Sequence, residues 1–149
     1  MIGAVEFRPY RPTDLPLVRD SWMRSLWDAM TAPRRKTNRP RPPLCTPDVY
    51  VALQPLLIAR LLELSGATVA HVAGSEDLII GYCAGTGGVL HYVFVKDTFR
   101  RLGIGKALIN QRCGKDSVDA THWTYSLDRV VGQSKRFSYN PFLLMEPSK

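Results

Sequence analysis

The stretch "FVKDTFRRLGIGKALIN", Phe94–Asn110, decides the reading of this chain. A hydrophobic run ends in it, the basic pair Arg100 and Arg101 follows, and two glycines, Gly103 and Gly105, precede an amphipathic helical pattern. That pattern runs from Ile104 to about Cys113 and is closed by Gly114. Bare backbone and positive charge where a strand gives way to a helix suit an anion. The open helix N-terminus presents unpaired N–H groups and a partial positive charge, and phosphate oxygens match both. A lone G-x-G is a weak signal, because glycines at strand–helix junctions are common structural turns. The six-residue form R-x-x-G-x-G, Arg100 to Gly105, is more specific when it follows a strand and opens a helix. It is neither a Walker loop nor a dinucleotide fingerprint: G-K-[ST], a third glycine and a suitably placed acid after a parallel strand are all missing.

The chain has 149 residues, which suits a single domain over 1–149 with one core. A hydrophobic content of 45% and a charged content of 22% are ordinary for a globular protein. No apolar run approaches the roughly 18 residues of a membrane span, and the N-terminus lacks the apolar core of a signal peptide. The expectation is a cytoplasmic protein, or one packaged into a virion, without membrane partners. Cys45, Cys83 and Cys113 are an odd, widely spaced set, read as reduced thiols and not as a disulfide framework. With His71, His91 and His122 equally scattered, no metal site is expected. The net charge of +7 points to an anionic partner, with nucleic acid, an anionic cofactor and acidic lipid all fitting.

Before the glycine segment, "AVEFRPY" alternates apolar and charged residues and reads as a strand. Thr13 is a plausible N-cap for an amphipathic helix whose apolar positions are Leu15, Val18, Trp22, Leu26 and Ala29. The segment 32–45 then carries four prolines and five cations (Arg34, Arg35, Lys36, Arg39, Arg41) without an acid, as a basic loop between two helices would. Thr46, Pro47 and Gly66 mark the start and stop of the second helix, which Pro55 should kink or divide. "ATVAHVA" and "LIIGYCAG" flank "GSED" as a hairpin, and after "GTGG" the run "VLHYVFV" is a third consecutive strand. Beyond the glycine helix, "THWTYS" reads as a strand and "LDRVVGQSKRF" as a short helix weakened by Gly132. "SYNPFLLM" reads as an edge strand containing Pro141. The expected fold class is α/β (α+β): a mixed, mostly antiparallel sheet flanked by helices, in the order β-α-α-β-β-β-α-β-α-β.

With "VFVKDTFRRLGIGKAL" and the opening "VEFRPYRPTDLPLV", the chain resembles the GCN5-related N-acetyltransferases (GNAT superfamily). The resemblance covers residues 4–126 in order of elements and 93–108 as a specific motif. It implies acetyl-CoA as cofactor and an N-acetyltransferase activity toward an amine. It implies that the backbone of Leu102, Gly103, Ile104 and Gly105, with Arg100, Arg101 and Lys106, holds the pyrophosphate. It implies that the backbone of Phe94 and Val95, on a strand splayed from its neighbour, pairs with the pantetheine arm.

Acyl transfer needs a deprotonated amine and a proton for the departing thiolate. The strand position that carries glutamate in some family members is Val89 here, and His91, two residues on, is the candidate base against the bland reading of a structural strand histidine. Tyr139 is the candidate acid, with Ser138 in its place if the register differs by one, and Tyr125 as the fallback. The chain has room for one strand where the family usually ends in a hairpin, so one wall of the acceptor pocket is missing or comes from a partner subunit in a homodimer. Three functions compete: an active acetyltransferase, a GNAT-fold binding or structural protein without turnover, and nucleic-acid binding by the basic arm. The arm has no interleaved aromatics, which weighs against nucleic acid. The connection between the first two helices borders the acceptor pocket in this fold, so its cations favour an anionic acceptor, against the reading of a solubilising loop.

Overall fold

Val5–Pro9 forms the first strand, β1, and the computed structural model describes residues 4–31, 45–122 and 136–144. Arg8 on this strand is buried, and its guanidinium holds the Asp14 carboxylate with two hydrogen bonds of 2.8 and 2.9 Å. Asp14 ends a short 3-10 turn, Pro12–Asp14, that leads into helix α1, Leu15–Thr31, and it also accepts from the Arg11 amide at 2.8 Å. The helix entrance is therefore organised by Arg11 and Asp14, not by Thr13. A buried guanidinium requires a carboxylate partner, and Asp14 serves it while capping the turn.

Helix α1 buries Val18, Trp22 and Leu26, one residue per turn, against the sheet. The cations Arg34, Arg35, Lys36, Arg39 and Arg41 lie outside the described residues. Helix α2 spans Pro47–Ser65, with the Thr46 hydroxyl accepting from the Val49 amide at 3.3 Å and Gly66 ending it at φ 72°. It continues through Pro55 as one element, so the expected division does not occur. Proline leaves the carbonyl four residues earlier without a donor, and Val51 sits on the exposed side of α2, where water can bond that carbonyl.

Strands β2 (Ala67–Val72), β3 (Ser75–Thr86) and β4 (Val89–Val95) follow as a meander, and β1–β4 pair antiparallel in sequence order. The β2–β3 connection is shorter than the expected "GSED" loop. Val72 already opposes Ser75, which leaves Ala73 and Gly74 as a two-residue turn, with Gly74 at φ 79°. Helix α3 covers Ile104–Cys113 and returns the chain so that β5, Val118–Ala120, pairs parallel with β4. The strand expected at 121–126 thus begins three residues earlier. Val118 and Ala120 fill the core around Asp119, a pattern too short to stand out as alternation. Residues 123–135, with Tyr125 and most of the expected helix, lie outside the described residues. Strand β6, Phe137–Tyr139, pairs parallel with β5, and a 3-10 turn, Pro141–Leu144, replaces the second half of the expected edge strand. Proline lacks the amide a strand would donate, and it starts that turn instead.

The result is the expected architecture, a mixed and mostly antiparallel six-stranded sheet flanked by helices. One core, with Trp22, Ile58, Leu61, Val69 and Tyr82, lies under α1 and α2; the other, with Ile80, Leu90, Leu108 and Val118, lies under α3. Cys83 and Cys113 meet in the second core with their sulfurs 4.0 Å apart, both as free thiols. No described helix is long and apolar enough to cross a membrane.

Candidate active site

Strand β4 is irregular on both edges. Against β3, Ala84 opposes Tyr92 but Gly85 opposes Leu90, so His91 is the extra residue of a β-bulge. Gly85 makes the bulge feasible: it lies at φ 150°, and a Cβ there would come within 2.3 Å of the Val89 carbonyl oxygen. Against β5, only Val89 and Leu90 pair, and beyond them β4 has no β5 partner among the described residues. The two parallel strands separate there.

The phase of the β3–β4 ladder determines which β4 backbone groups face that gap. The Lys96 amide bonds the Ile80 carbonyl at 2.9 Å, so the pair Tyr82–Phe94 is hydrogen-bonded and the pairs Gly81–Val95 and Cys83–Val93 are not. Val93 and Val95 therefore direct their amides and carbonyls away from β3, into the gap. Phe94 spends its backbone groups on β3 and packs its ring 5.5 Å from that of Tyr82.

The glycine segment closes one end of this gap. Arg101 and Gly103 both adopt left-handed backbone, at φ 66° and 80°, and no side chain caps the start of α3. The first helical bond is from the Ala107 amide to the Gly103 carbonyl, at 3.0 Å, so the amides of Ile104, Gly105 and Lys106 precede the intrahelical ladder. Ile104 and Leu108 are buried and anchor the helix in this position. A Cβ on Gly105 would meet only the Val95 side chain, at an ordinary 3.6 Å, so nothing in the protein itself excludes a side chain there. Arg100 is held to the strand end, its Nε donating to the Val95 carbonyl at 2.9 Å and its guanidinium pairing with Asp97 at 2.6 Å.

Together these elements border a cleft of about 1250 Å³. Lys96, Arg100, Arg101, Gly103, Ile104, Gly105 and Lys106 line one end, β4 from Leu90 to Val95 lines the floor, and Ser21, Arg24, Ser25 and Asp28 of α1 line the far wall. Leu102 does not face the cleft; its side chain is exposed.

His91 borders the same cleft, with its Nδ1 2.9 Å from the Thr121 hydroxyl. Burial pushes its pKa below the ordinary imidazole value. Thr121 also sits 3.1 Å from Nδ1 of His122, whose Nε2 is 3.1 Å from Nε2 of Gln54. Burial, with the neighbouring His91, lowers the His122 pKa to about 4, so both rings are neutral near pH 7. Tyr92 stacks on Trp22 with ring centroids 4.8 Å apart, and its hydroxyl is 2.7 Å from that of Ser25. Its pKa is pushed up to about 12 by burial.

Tyr139 is not brought to this cleft. Together with Gln54, Thr121, His122 and Pro141 it lines a second, smaller cavity of about 200 Å³ on the α2 side. Ser138 bonds Asp119 instead of facing either histidine. Sequence reasoning missed Thr121, His122, Gln54 and Val93. Gln54 reaches His122 across 68 residues and His91 reaches Thr121 across 30, and no spacing pattern marks these contacts.

No known family and no curated protein matches the chain by sequence. Solved structures do match. A GCN5-related N-acetyltransferase (aminotransferase, class II) from Rhodopseudomonas palustris superposes with a TM-score of 0.50 at 15% identity, covering 74% of this chain and 64% of that one. The fold is that of the GCN5-related N-acetyltransferases. Apo-form YjaB from Escherichia coli gives the same TM-score of 0.50 at 18% identity, covering 72% of this chain and 63% of its own. The chain thus spans less than two thirds of the length of either protein. Within this GNAT fold the bulge at His91, the parting of β4 from β5 and the uncapped start of α3 surround a single cleft.

Proposed function

We propose that the protein is an acetyl-CoA-dependent N-acetyltransferase. One observation carries the reading: the uncapped N-terminus of α3 and the backbone edge of Val93 and Val95, which has no β5 partner among the described residues, open into the same cleft, with Lys96, Arg100, Arg101 and Lys106 around it. The amides of Gly103, Ile104, Gly105 and Lys106, with Arg101, hold the pyrophosphate. The Val93 and Val95 edge pairs with the pantetheine amides as an added strand would. Leu102 contributes backbone only, and Phe94 supports the floor through its packing. The thioester of acetyl-CoA supplies the activated acyl group, and an amine entering beside α1 attacks its carbonyl carbon, so that the C–N bond forms as the C–S bond breaks and coenzyme A leaves as its thiolate. His91 removes the amine proton through Nε2, the ring nitrogen not engaged by Thr121.

The acceptor is an amine. An anionic acceptor drawn in by Arg34, Arg35, Lys36, Arg39 and Arg41 rests on charge alone. Replacing these five with glutamine should raise the acceptor KM at low salt and not at high salt, since screening acts over about 8–10 Å at ordinary ionic strength. A homodimer that supplies part of the acceptor pocket would appear as a dimer in sedimentation.

The placement of Tyr139 outside the cleft favours a second reading, a coenzyme A-binding protein without turnover. Calorimetry with acetyl-CoA followed by thiol release over an amine panel separates the two. Binding with thiol release that depends on the amine supports the enzyme; binding alone supports the second reading; no binding removes both. If Tyr139 donates a proton to the thiolate, Tyr139→Phe lowers turnover without changing coenzyme A affinity.

A further inference from the structure

The hydrogen-bonded chain from His91 through Thr121 and His122 to Gln54 connects the main cleft to the second cavity. We propose that these four residues form a proton relay, which carries the proton released by the acceptor amine from the cleft to the second cavity; this rests on the acetyltransferase reading above. His91 is the catalytic residue, and Thr121, His122 and Gln54 act through it.

The geometry supports transfer at every step. The successive heavy-atom distances are 2.9, 3.1 and 3.1 Å, all within hydrogen-bonding range. The spacing is held by the backbone, since the Thr121 amide bonds the Leu90 carbonyl at 3.0 Å, beside the bulge that presents His91. The His122 ring stands nearly perpendicular to the stacked Trp22 and Tyr92 rings, at centroid distances of 5.5 and 6.4 Å. Thr121 is almost fully buried, and only a side chain with both donor and acceptor can connect two imidazoles there. Burial disfavours a lasting imidazolium on either ring, so a proton taken up at His91 has to be passed on.

The bookkeeping of bonds closes. In the accepting polarity, His91 Nδ1–H donates to Thr121, the Thr121 hydroxyl donates to His122 Nδ1, and His122 Nε2–H donates to the Gln54 amide oxygen. A proton arriving at His91 Nε2 releases the Nδ1 proton to Thr121. Thr121 passes its own proton to His122 Nδ1, and His122 sheds its Nε2 proton to solvent in the second cavity. One N–H or O–H bond forms for each that breaks, and no ring keeps a charge. The polarity left behind has the Gln54 amide nitrogen donating to His122 Nε2, the arrangement present in the structure. The accepting polarity returns when His91 gives its Nε2 proton to the departing thiolate: the Gln54 amide rotates by half a turn, a solvent proton enters at His122 Nε2, and the same hops run in reverse through Thr121.

The experiment compares wild type with Thr121→Val, Thr121→Ser and Gln54→Leu. Nitrogen-15 NMR of the histidine rings, with coenzyme A present, reads the tautomers without any acceptor. Wild type and Thr121→Ser are expected to show two neutral rings of complementary tautomer, one protonated on Nδ1 and the other on Nε2, and Thr121→Val is expected to lose that correlation. With benzylamine as the acceptor probe, Thr121→Val and Gln54→Leu should each lower kcat at least about tenfold, while KM for acetyl-CoA stays unchanged and Thr121→Ser recovers most of the rate. A merely structural role for Thr121 predicts no solvent isotope effect on kcat that disappears in Thr121→Val. Tautomers indifferent to Thr121→Val, or a Thr121→Val enzyme with wild-type kcat, overturn the relay alone. Failure of wild type to bind coenzyme A overturns the acetyltransferase reading and the relay with it.

Discussion

Nε of Arg100 donates to the carbonyl oxygen of Val95 at 2.9 Å, so the first residue of the R-x-x-G-x-G motif is bonded to the end of the strand that precedes it. This gives the arginine a second task. Besides adding charge near the start of α3, it ties the turn to β4 and so determines where that helix start points. Its partner Asp97 is exposed, and an exposed ion pair adds little stability, about 0–1 kcal/mol. Arg100→Gln is therefore expected to leave the unfolding midpoint nearly unchanged and to weaken coenzyme A binding about tenfold, measured by calorimetry. Arg101→Gln should weaken binding with a loss that shrinks at high salt, because that contribution is charge alone. Equal affinity in wild type and Arg100→Gln would reduce the Arg100–Val95 bond to a local ornament of the turn.

Gly105 separates stability from function. Its conformation is helical, and a methyl group there meets only Val95 at 3.6 Å. Gly105→Ala is expected to stabilise the free protein by about 0.5–1 kcal/mol, as alanine does in place of helical glycine. The same methyl group stands where the pyrophosphate would approach, so coenzyme A affinity should fall, and Gly105→Glu should abolish it. Thermal melts and calorimetry on one preparation of each variant check both halves. Gly103→Ala should instead destabilise by about 1–2 kcal/mol, since φ is 80° there.

His122 is expected to make stability depend on pH. Its folded pKa of about 4 is depressed from the ordinary imidazole value by burial, with His91 adding to the effect. Between the unfolded value near 6.5 and about 4, the unfolded chain binds the extra proton and the folded protein does not, so stability is complete above that window and lost as pH falls through it. The full loss is of order 3 kcal/mol. Urea unfolding at pH 7, 5.5 and 4 should show a decline that is shallower in His122→Asn than in wild type. Parallel curves for the two proteins would remove the assignment.

The Arg8–Asp14 pair should behave as a buried ion pair. Both side chains are only 7% exposed, and the Arg8 guanidinium and the Arg11 amide hold the Asp14 pKa below the ordinary carboxylate value against the opposing effect of burial. Asp14→Asn leaves a buried guanidinium without its counter-charge and is expected to cost about 3–5 kcal/mol. Arg8→Met combined with Asp14→Leu should cost much less than either single change. A double-mutant cycle by denaturant unfolding measures the coupling.

Much of the fold was legible because it is written in local signals. Thr46, Pro47 and Gly66 bounded α2, the alternation in 5–9 and the apolar run in 89–95 identified two strands, and the glycines at 87–88 and 103–105 marked the turns on either side of β4. Each of these depends on backbone preferences of a few consecutive residues, which are present in the sequence before any folding. The cationic end of the cleft, with Arg100, Arg101, Gly103 and Gly105, belongs to the same class, since one strand–turn–helix segment builds it.

What only the tertiary structure decided lies between segments. Which β4 residues turn their backbone toward the gap depended on the register with β3, and a bulge at His91 shifted that register in a way no alternation reveals. β5 was misplaced by three residues because Val118–Ala120 is too short to signal itself and is defined by its pairing with Val89 and Leu90. Tyr139 fell on the far side of His122 because β6 pairs directly with β5, which carries its side chain to the second cavity. The relay residues come from α2, β4 and the end of β5, and their contacts exist only after those elements pack. A sequence carries the preferences of neighbours along the chain; hydrogen bonds between residues 30 and 68 positions apart are chosen by the packing of whole elements, and that choice is made only in the folded protein.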